Sequence, residues 1–331
     1  MLKSGVPLQE AVSSLKDQTS NPPFKEVLKQ VCKDIENGQS MEKALSKHPQ
    51  VFNSLYISLV ATGEKSGNLE ANLEYLSTQL KKKYEFNKKV ESATLYPKLV
   101  LLTTFLMGGS ISLFVLPKLV DLFTSLDVKL PLSTKILLFF ANMMKNYGIF
   151  IAIAAVTAIV LIAFIVKTPP VKPKWHKFLL SAPVFGKLNQ NMELANICRD
   201  LGIMLKSGLT INDALDTQYQ STENLVFKAY LNDLRRNIEK GKKLSDQITP
   251  SKFKYIPSIA ARMIAVGEET GKLEDALIYL GDFFEEEADD ATRNLSNSLE
   301  PILLLIIGAV VAFVALAIIT PIYSLTSGIK R

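Results

Sequence analysis

The sequence predicts an all-α integral membrane protein with two duplicated antiparallel helical-bundle domains and three transmembrane helices. Two observations carry that expectation. First, the chain repeats itself: Met1-Leu-Lys-Ser-Gly5 returns letter for letter as Met204-Leu-Lys-Ser-Gly208, and Ala61 to Leu76 returns, with substitutions, as Ala265 to Leu280. The offsets are 203 and 204 residues, so both matches belong to one duplication. A repeat of this kind fixes the architecture before any local reading. Second, three stretches are long and uncharged: Leu99 to Leu116, Gly148 to Val166, and Pro301 to Ile319. Each is near the roughly 20 residues a helix needs to cross a hydrocarbon core.

The repeat unit is a polar domain followed by an apolar span. Residues 1–95 form the first helical domain, 96–117 the first span, 118–147 an extracytoplasmic loop with a short amphipathic helix, and 148–167 the second span. The second domain follows over 168–298, the third span over 299–323 and a tail over 324–331. Within the first domain, Leu2, Val6, Leu8, Val12 and Leu15, then Val27, Leu28, Val31 and Ile35, recur at helical rather than strand spacing. Pro7 suits a first helical turn, Thr210 with Asp213 makes a capping-box-like pair, and Gly38 and Gly241 stand at helix stops. Each copy fits about five or six short helices, the last running into its span. The second copy places Glu193 to Ile203, the body of an amphipathic helix, before Met204, whereas the first copy opens inside the equivalent helix. The expectation is a start lying upstream, or a helix supplied by another chain.

The middle span has no counterpart in the repeat. Two crossings between the copies put both on one side of the membrane. Lys81, Lys82, Lys83, Lys88 and Lys89 precede the first span and Lys167, Lys172, Lys174 and Lys177 follow the second. That bias favours a cytoplasmic side for the domains, although the tail ends Lys330-Arg331. No cleaved signal peptide is visible. The 331 residues carry a formal charge of +6, which with lysines beside the spans fits anionic lipid. No nucleic-acid module is recognisable. Cys32 and Cys198 fall at non-equivalent positions, which argues against a disulfide framework.

No nucleophile–base pair, metal-ligand spacing or phosphate loop accompanies the two histidines, so neither catalysis nor a cofactor is expected. The densest repeated signal is Gly63-Glu64-Lys65-Ser66-Gly67 and Gly267-Glu268-Glu269-Thr270-Gly271. It reads as a tight helix–helix corner, with Ser66 or Thr270 free to cap the next helix. The other reading is that Glu64 and Glu268 offer a carboxylate to a partner or cation. Gly5 and Gly208 stand alone. Lys81, Lys82 and Lys83 align with Glu285, Glu286 and Glu287. Charge inversion at equivalent positions suggests faces that meet, within a chain or across a dimer, against the alternative of separately solvated faces. Pro97 and Pro301 sit at span entrances, where a first helical turn tolerates proline. Gly108, Gly109, Ser110 and Gly308 permit close helix packing. No charge lies mid-span, which weakens a transporter reading.

These residues together resemble the polytopic platform proteins of type II secretion, type IV pilus and competence pilus systems, which carry paired type II secretion F domains. The resemblance rests on Leu205 to Gly208 with Ala214-Leu215, on Gly267 to Leu273, and on Pro183 to Gly186. Around the spans it rests on Tyr96-Pro97, Leu116 to Phe123, Leu130 to Thr134, Leu299 to Pro301, and Pro321 to Tyr323. It implies a bacterial inner-membrane protein without catalytic residues. The implied partners are a cytoplasmic hexameric assembly ATPase, pilin or pseudopilin subunits, other inner-membrane assembly proteins, lipid and further copies of itself. An unrelated membrane scaffold or a transporter subunit is the alternative.

Overall fold

A computed structural model describes residues 1–110, 132–166, 168–182, 185–249 and 251–328. These residues are helical, with no strand among them. After a 3-10 turn at Leu2–Ser4, the first copy comprises α1 (Leu8–Gln18), α2 (Pro22–Glu36), α3 (Met41–Ser46), α4 (Ser54–Ser66) and α5 (Leu69–Ser110). Then come α6 (Leu132–Val166) and α7 (Lys172–Ser181). The second copy comprises α8 (Phe185–Lys206), α9 (Ile211–Ser221), α10 (Leu225–Ile238), α11 (Leu244–Gln247), α12 (Ser258–Thr270) and α13 (Leu273–Gly328). Helices α1 to α5 thus correspond to α9 to α13, and α8 has no described counterpart.

Side chains start these helices where the sequence supplies small acceptors. Asn21 accepts from the Phe24 N–H at 3.2 Å ahead of Pro22 and Pro23, and Asn53 accepts from Tyr56 at 3.1 Å. Thr210 accepts from the Asp213 N–H at 3.2 Å and donates its hydroxyl to the Asp213 carboxylate at 2.7 Å. Such caps each contribute about 1 kcal/mol. Pro7 lies one position before α1, as its N-cap residue. Gly38 and Gly241, at φ +81° and +75°, turn the chain in the left-handed region two and three residues after the ends of α2 and α10.

The chain divides into two compact units, Met1–Asn87 with Pro173–Ala291, and Lys88–Lys172 with Thr292–Arg331. The first unit contains both copies, and one apolar cluster joins them. Val31, Leu59 and Val60 of the first copy and Met204, Leu215, Phe227, Leu277, Leu280 and Phe284 of the second are almost fully buried in it. Each such side chain contributes about 1.5–3 kcal/mol relative to exposure. Tyr230 bridges Phe227 and Phe253 edge-on, at 5.8 and 4.7 Å between ring centres. Both cysteine thiols are buried, and burial pushes Cys198 up to about 12.

The copies differ where α8 packs. In the second copy, α8 lies so close to α13 that a Cβ on Gly202 would sit 2.9 Å from the Glu274 carbonyl oxygen, and one on Gly281 would sit 2.8 Å from Arg199 Cβ. In the first copy the equivalent surface borders a groove of about 600 Å³, lined among others by Leu8, Val12, Leu15, Leu73 and Glu74.

In the second unit, large apolar side chains point outward. Phe105 is 69% exposed, Phe164 75% and Leu305 74%. Among the described residues no helix is long and apolar enough to cross a membrane, and the three transmembrane helices stay an expectation from the sequence. Two placements differ from expectation. Pro97 and Pro301 lie inside α5 and α13 rather than in a first turn, because those helices already start at Leu69 and Leu273. Each proline deletes one ladder hydrogen bond within a long helix. Helix α6 begins at Leu132, inside the stretch assigned to the loop, and runs unbroken to Val166. Its sequence offers no proline there to stop it. The family-like segment Leu116 to Phe123 lies outside the described residues, as do the start of Leu130 to Thr134 and Pro183-Val184.

Candidate functional site

Both glycine corners are built alike. Gly63 faces the start of α5 so closely that a Cβ there would lie 2.7 Å from Leu69 Cα. A Cβ on Gly267 would lie 2.7 Å from Ala276 Cβ and 3.1 Å from Leu273 Cα. Gly67 and Gly271, at φ +75° and +69°, make the left-handed residue that ends α4 and α12. The two glycines of each motif therefore have different jobs, close approach and reversal.

The glutamate between them turns inward. Glu64 accepts the N–H groups of Met41 at 2.7 Å and Glu42 at 3.0 Å, at the start of α3. Glu268 accepts those of Leu244 at 2.8 Å and Ser245 at 2.9 Å, and the Ser245 hydroxyl at 2.5 Å, at the start of α11. Each carboxylate thus caps a short helix more than 20 residues away in sequence, adding charge-assisted bonds at the positive end of the helix. Burial alone would raise the Glu268 carboxyl, but the hydrogen bonds from Ser245 and Leu244 outweigh it and hold the group below its ordinary value. Ser66 and Thr270 do not cap the following helices. Their hydroxyls donate back to the carbonyls of Thr62 at 2.8 Å and Val266 at 2.7 Å, the habit of a hydroxyl in a last helical turn.

The second cluster lies on the seam between the copies, where α4 and α5 meet α8, α9 and α13. Ser58 and Thr217 share a hydroxyl hydrogen bond at 3.1 Å, and Ser54 donates to Gln220 at 3.3 Å. Buried Asn72 donates to the Leu59 carbonyl at 2.8 Å and accepts from Ser207 at 2.9 Å. Tyr75 donates to Asp200 at 3.4 Å and accepts from Gln79 at 2.6 Å. Lys82 reaches Glu285 at 2.9 Å and Asp282 at 3.5 Å. Arg199, 7% exposed, reaches Asp282 at 2.6 Å and also pairs with Glu285. Lys82 and Glu285 are the members of the inverted triplets brought together. Lys81 pairs with Glu85 at 3.9 Å along its own helix, Lys83 is exposed at the rim of the seam beside Lys82 and Arg199, and Glu286 and Glu287 are exposed.

Two half-buried carboxyls on α8 line this seam. Burial pushes Asp200 up to about 7, against hydrogen bonds from Tyr75 and Gln218 and the attraction of Arg199 and Lys83. Burial, then the Glu223 carboxylate, pushes Glu193 up to about 7, against a hydrogen bond from Asn224 and the attraction of Lys83. Neither residue stands out in the sequence beyond a polar position on an amphipathic helix. Their seven-residue spacing, which places them two turns apart on one face, is the signal that could have found them. Gly5 and Gly208 lie outside both clusters; each ends a helical turn, at φ +77° and +94°.

The model of the family described as "Type II secretion system (T2SS), protein F" matches residues 1–117 and 197–321. The chain belongs to that family. Its two matched segments take in the first copy with α5, and the second copy from within α8 to the end region of α13, leaving α6 and α7 between them. Among curated relatives, the type IV pilus assembly protein PilC of Myxococcus xanthus is 32% identical over all of this chain and 79% of its own length. PilC of Thermus thermophilus is 32% identical over 98% of this chain and 80% of its own. The type II secretion system protein F of Vibrio cholerae is 28% identical over all of this chain and 81% of its own.

Proposed function

We propose that the chain is a polytopic inner-membrane platform protein, coupling a cytoplasmic hexameric assembly ATPase to the assembly of a pilus or pseudopilus. The doubled unit of domain plus long helix carries this reading, because the family match covers both halves and the relatives are named for pilus assembly and type II secretion. Three crossings over 96–117, 148–167 and 299–323 keep both copies in the cytoplasm. The outward-facing Phe105, Phe164 and Leu305, one from each apolar stretch, support burial in lipid, since a soluble surface rarely collects such side chains. The domains contact the ATPase and the spans contact pilin or pseudopilin helices. Other inner-membrane assembly proteins, lipid and further copies of the chain complete the set of partners. Glu64 and Glu268 hold the domains rigid rather than meeting a partner directly. The protein acts mechanically, without a cofactor, catalytic group or direct contact with nucleic acid.

Deleting the gene in its host abolishes surface pili, type II secretion or DNA uptake; a deletion strain normal in all three overturns the proposal. For topology, a membrane-impermeant maleimide applied to whole cells labels Lys135→Cys and not Glu286→Cys. Labelling of both, or of Glu286→Cys alone, overturns the assigned sidedness.

A further inference from the structure

The seam joins two different faces. Helix α4 of the first copy meets α9 of the second, through Ser58 with Thr217 and Ser54 with Gln220. Because the copies are repeats, each chain owns the same two faces a second time, on α12 and α1. If the copies were related by a closed two-fold, α12 would be covered as α4 is. It is not. Leu55 of α4 is 5% exposed, whereas its equivalent Ile259 is 43% exposed. Thr62 is half-buried, whereas its equivalent Val266 is 60% exposed. Beside them runs a groove of about 350 Å³ lined by Arg262, Met263, Val266, Thr270, Lys272 and Asp275 among others.

We infer that this α12 face receives α1 of a second copy of the chain, repeating between chains the contact that α4 makes with α9 within one. The faces also carry opposite charges at two of the equivalent positions. Where α4 has Ser58, α12 has Arg262; where α9 has Gln220, α1 has Asp17. By the register of the seam, Arg262 falls opposite Ser14 and Asp17 opposite Ser258, so each neutral pair gains one charge, basic on α12 and acidic on α1, one helical turn apart. Ser14, the equivalent of Thr217, lies one turn from Asp17, whose side chain is 69% exposed and pairs with Lys16 at 3.6 Å. An interface between two different faces does not close on itself in a pair, so it leads to a ring or a row of chains. Opposite charges set the register of such a contact more than its strength.

This contact specifies the self-association proposed above and needs neither the topology nor the pilus role, so cross-linking and piliation fail independently. The test uses the full chain in its membrane, with Cys32→Ser and Cys198→Ser as background. Ser58→Cys with Thr217→Cys is first required to close within one chain, which reports an intact seam. Differently tagged chains carrying Ser14→Cys or Arg262→Cys are then mixed by co-expression and oxidised. Cross-links form between the two tags and not within either one, and a single chain carrying both cysteines gives a ladder of dimers and higher species. On a chain carrying Ser14→Cys and Val266→Cys, Arg262→Asp lowers the ladder at least about tenfold, and adding Asp17→Arg restores it. Cross-linking of either single variant to itself, or an intact seam with no cross-link between tags, overturns the inference.

Discussion

The two copies share what each needs internally and differ where they face one another. Gly63, Glu64 and Gly67 recur as Gly267, Glu268 and Gly271, and every contact of those glutamates stays within its own copy. Across the seam the equivalents diverge: Lys82 against Glu286, Asn72 against Ala276, Ser58 against Arg262. Tyr75 bonds across the seam, whereas its equivalent Tyr279 is 60% exposed. After duplication, the corner is constrained twice by the same backbone geometry, whereas the seam is one contact seen from two sides. Each side is free to specialise.

Substitutions inside the corners test the shared half of that comparison and have the largest expected effects. Gly63→Ala pushes a methyl group onto the Leu69 backbone, while Gly267→Ala pushes one onto the Ala276 side chain. Both destabilise by about 1–3 kcal/mol relative to wild type and by similar amounts, because an alanine Cβ is fixed to its backbone and yields no more than the Leu69 Cα does. Denaturant midpoints of the purified protein read the loss, and equal midpoints to wild type would remove the close-approach role. Glu268→Ala strips the cap from α11 at a cost of about 1–2 kcal/mol. Glu64→Ala costs less, because Ser40 also accepts from the Lys43 N–H at 3.3 Å in α3, whereas Lys243 provides no side-chain cap for α11. A greater loss at Glu64 would invert the reading.

The seam is tested by pH and by charge. Asp200 rises from 3.8, and Glu193 from 4.5, to about 7 in the folded chain. A raised carboxyl binds its proton more tightly folded than unfolded, so its stabilisation is fully present below about pH 4 and is lost as pH rises through 7. Asp200→Asn flattens that decline and gains about 1 kcal/mol at pH 8 relative to wild type. Melting temperatures at pH 5 and pH 8 decide it; an unchanged difference between them removes Asp200 from the pH response. Lys82→Glu has the smallest effect, about 0.5–1 kcal/mol, because the pair is partly solvated. Adding Glu285→Lys recovers only part of it, since Arg199 then faces a lysine. Full recovery would show that Arg199 contributes nothing to the pair.

The all-helical, duplicated character of the chain was legible because it is periodic and repeated. The glycine positions and the capping of α9 by Thr210 follow from local chemistry, and local chemistry is written in adjacent residues. The role of Glu268 was not legible, since its partners Leu244 and Ser245 lie 24 and 23 residues away with no pattern linking them. The charge inversion revealed a meeting of faces but not its register. Lys82 finds Glu285 rather than Glu286, because copies that meet through different faces do not bring like positions together. Pro97 and Pro301 were misplaced for a related reason: the packed residues from Leu69 and Leu273 onward start the helix well before the apolar stretch does.

Helix α11 has four residues and α3 has six, fewer than a peptide needs to hold a helix in water. Their first turns are held by carboxylates that arrive on α12 and α4. Neither helix can form before its corner does, and each unwinds when the corner loosens. Amide exchange at Leu244 and Ser245 is therefore a local clock for the whole corner. It will speed up under any force that pries α12 from α13, well before the domain itself unfolds.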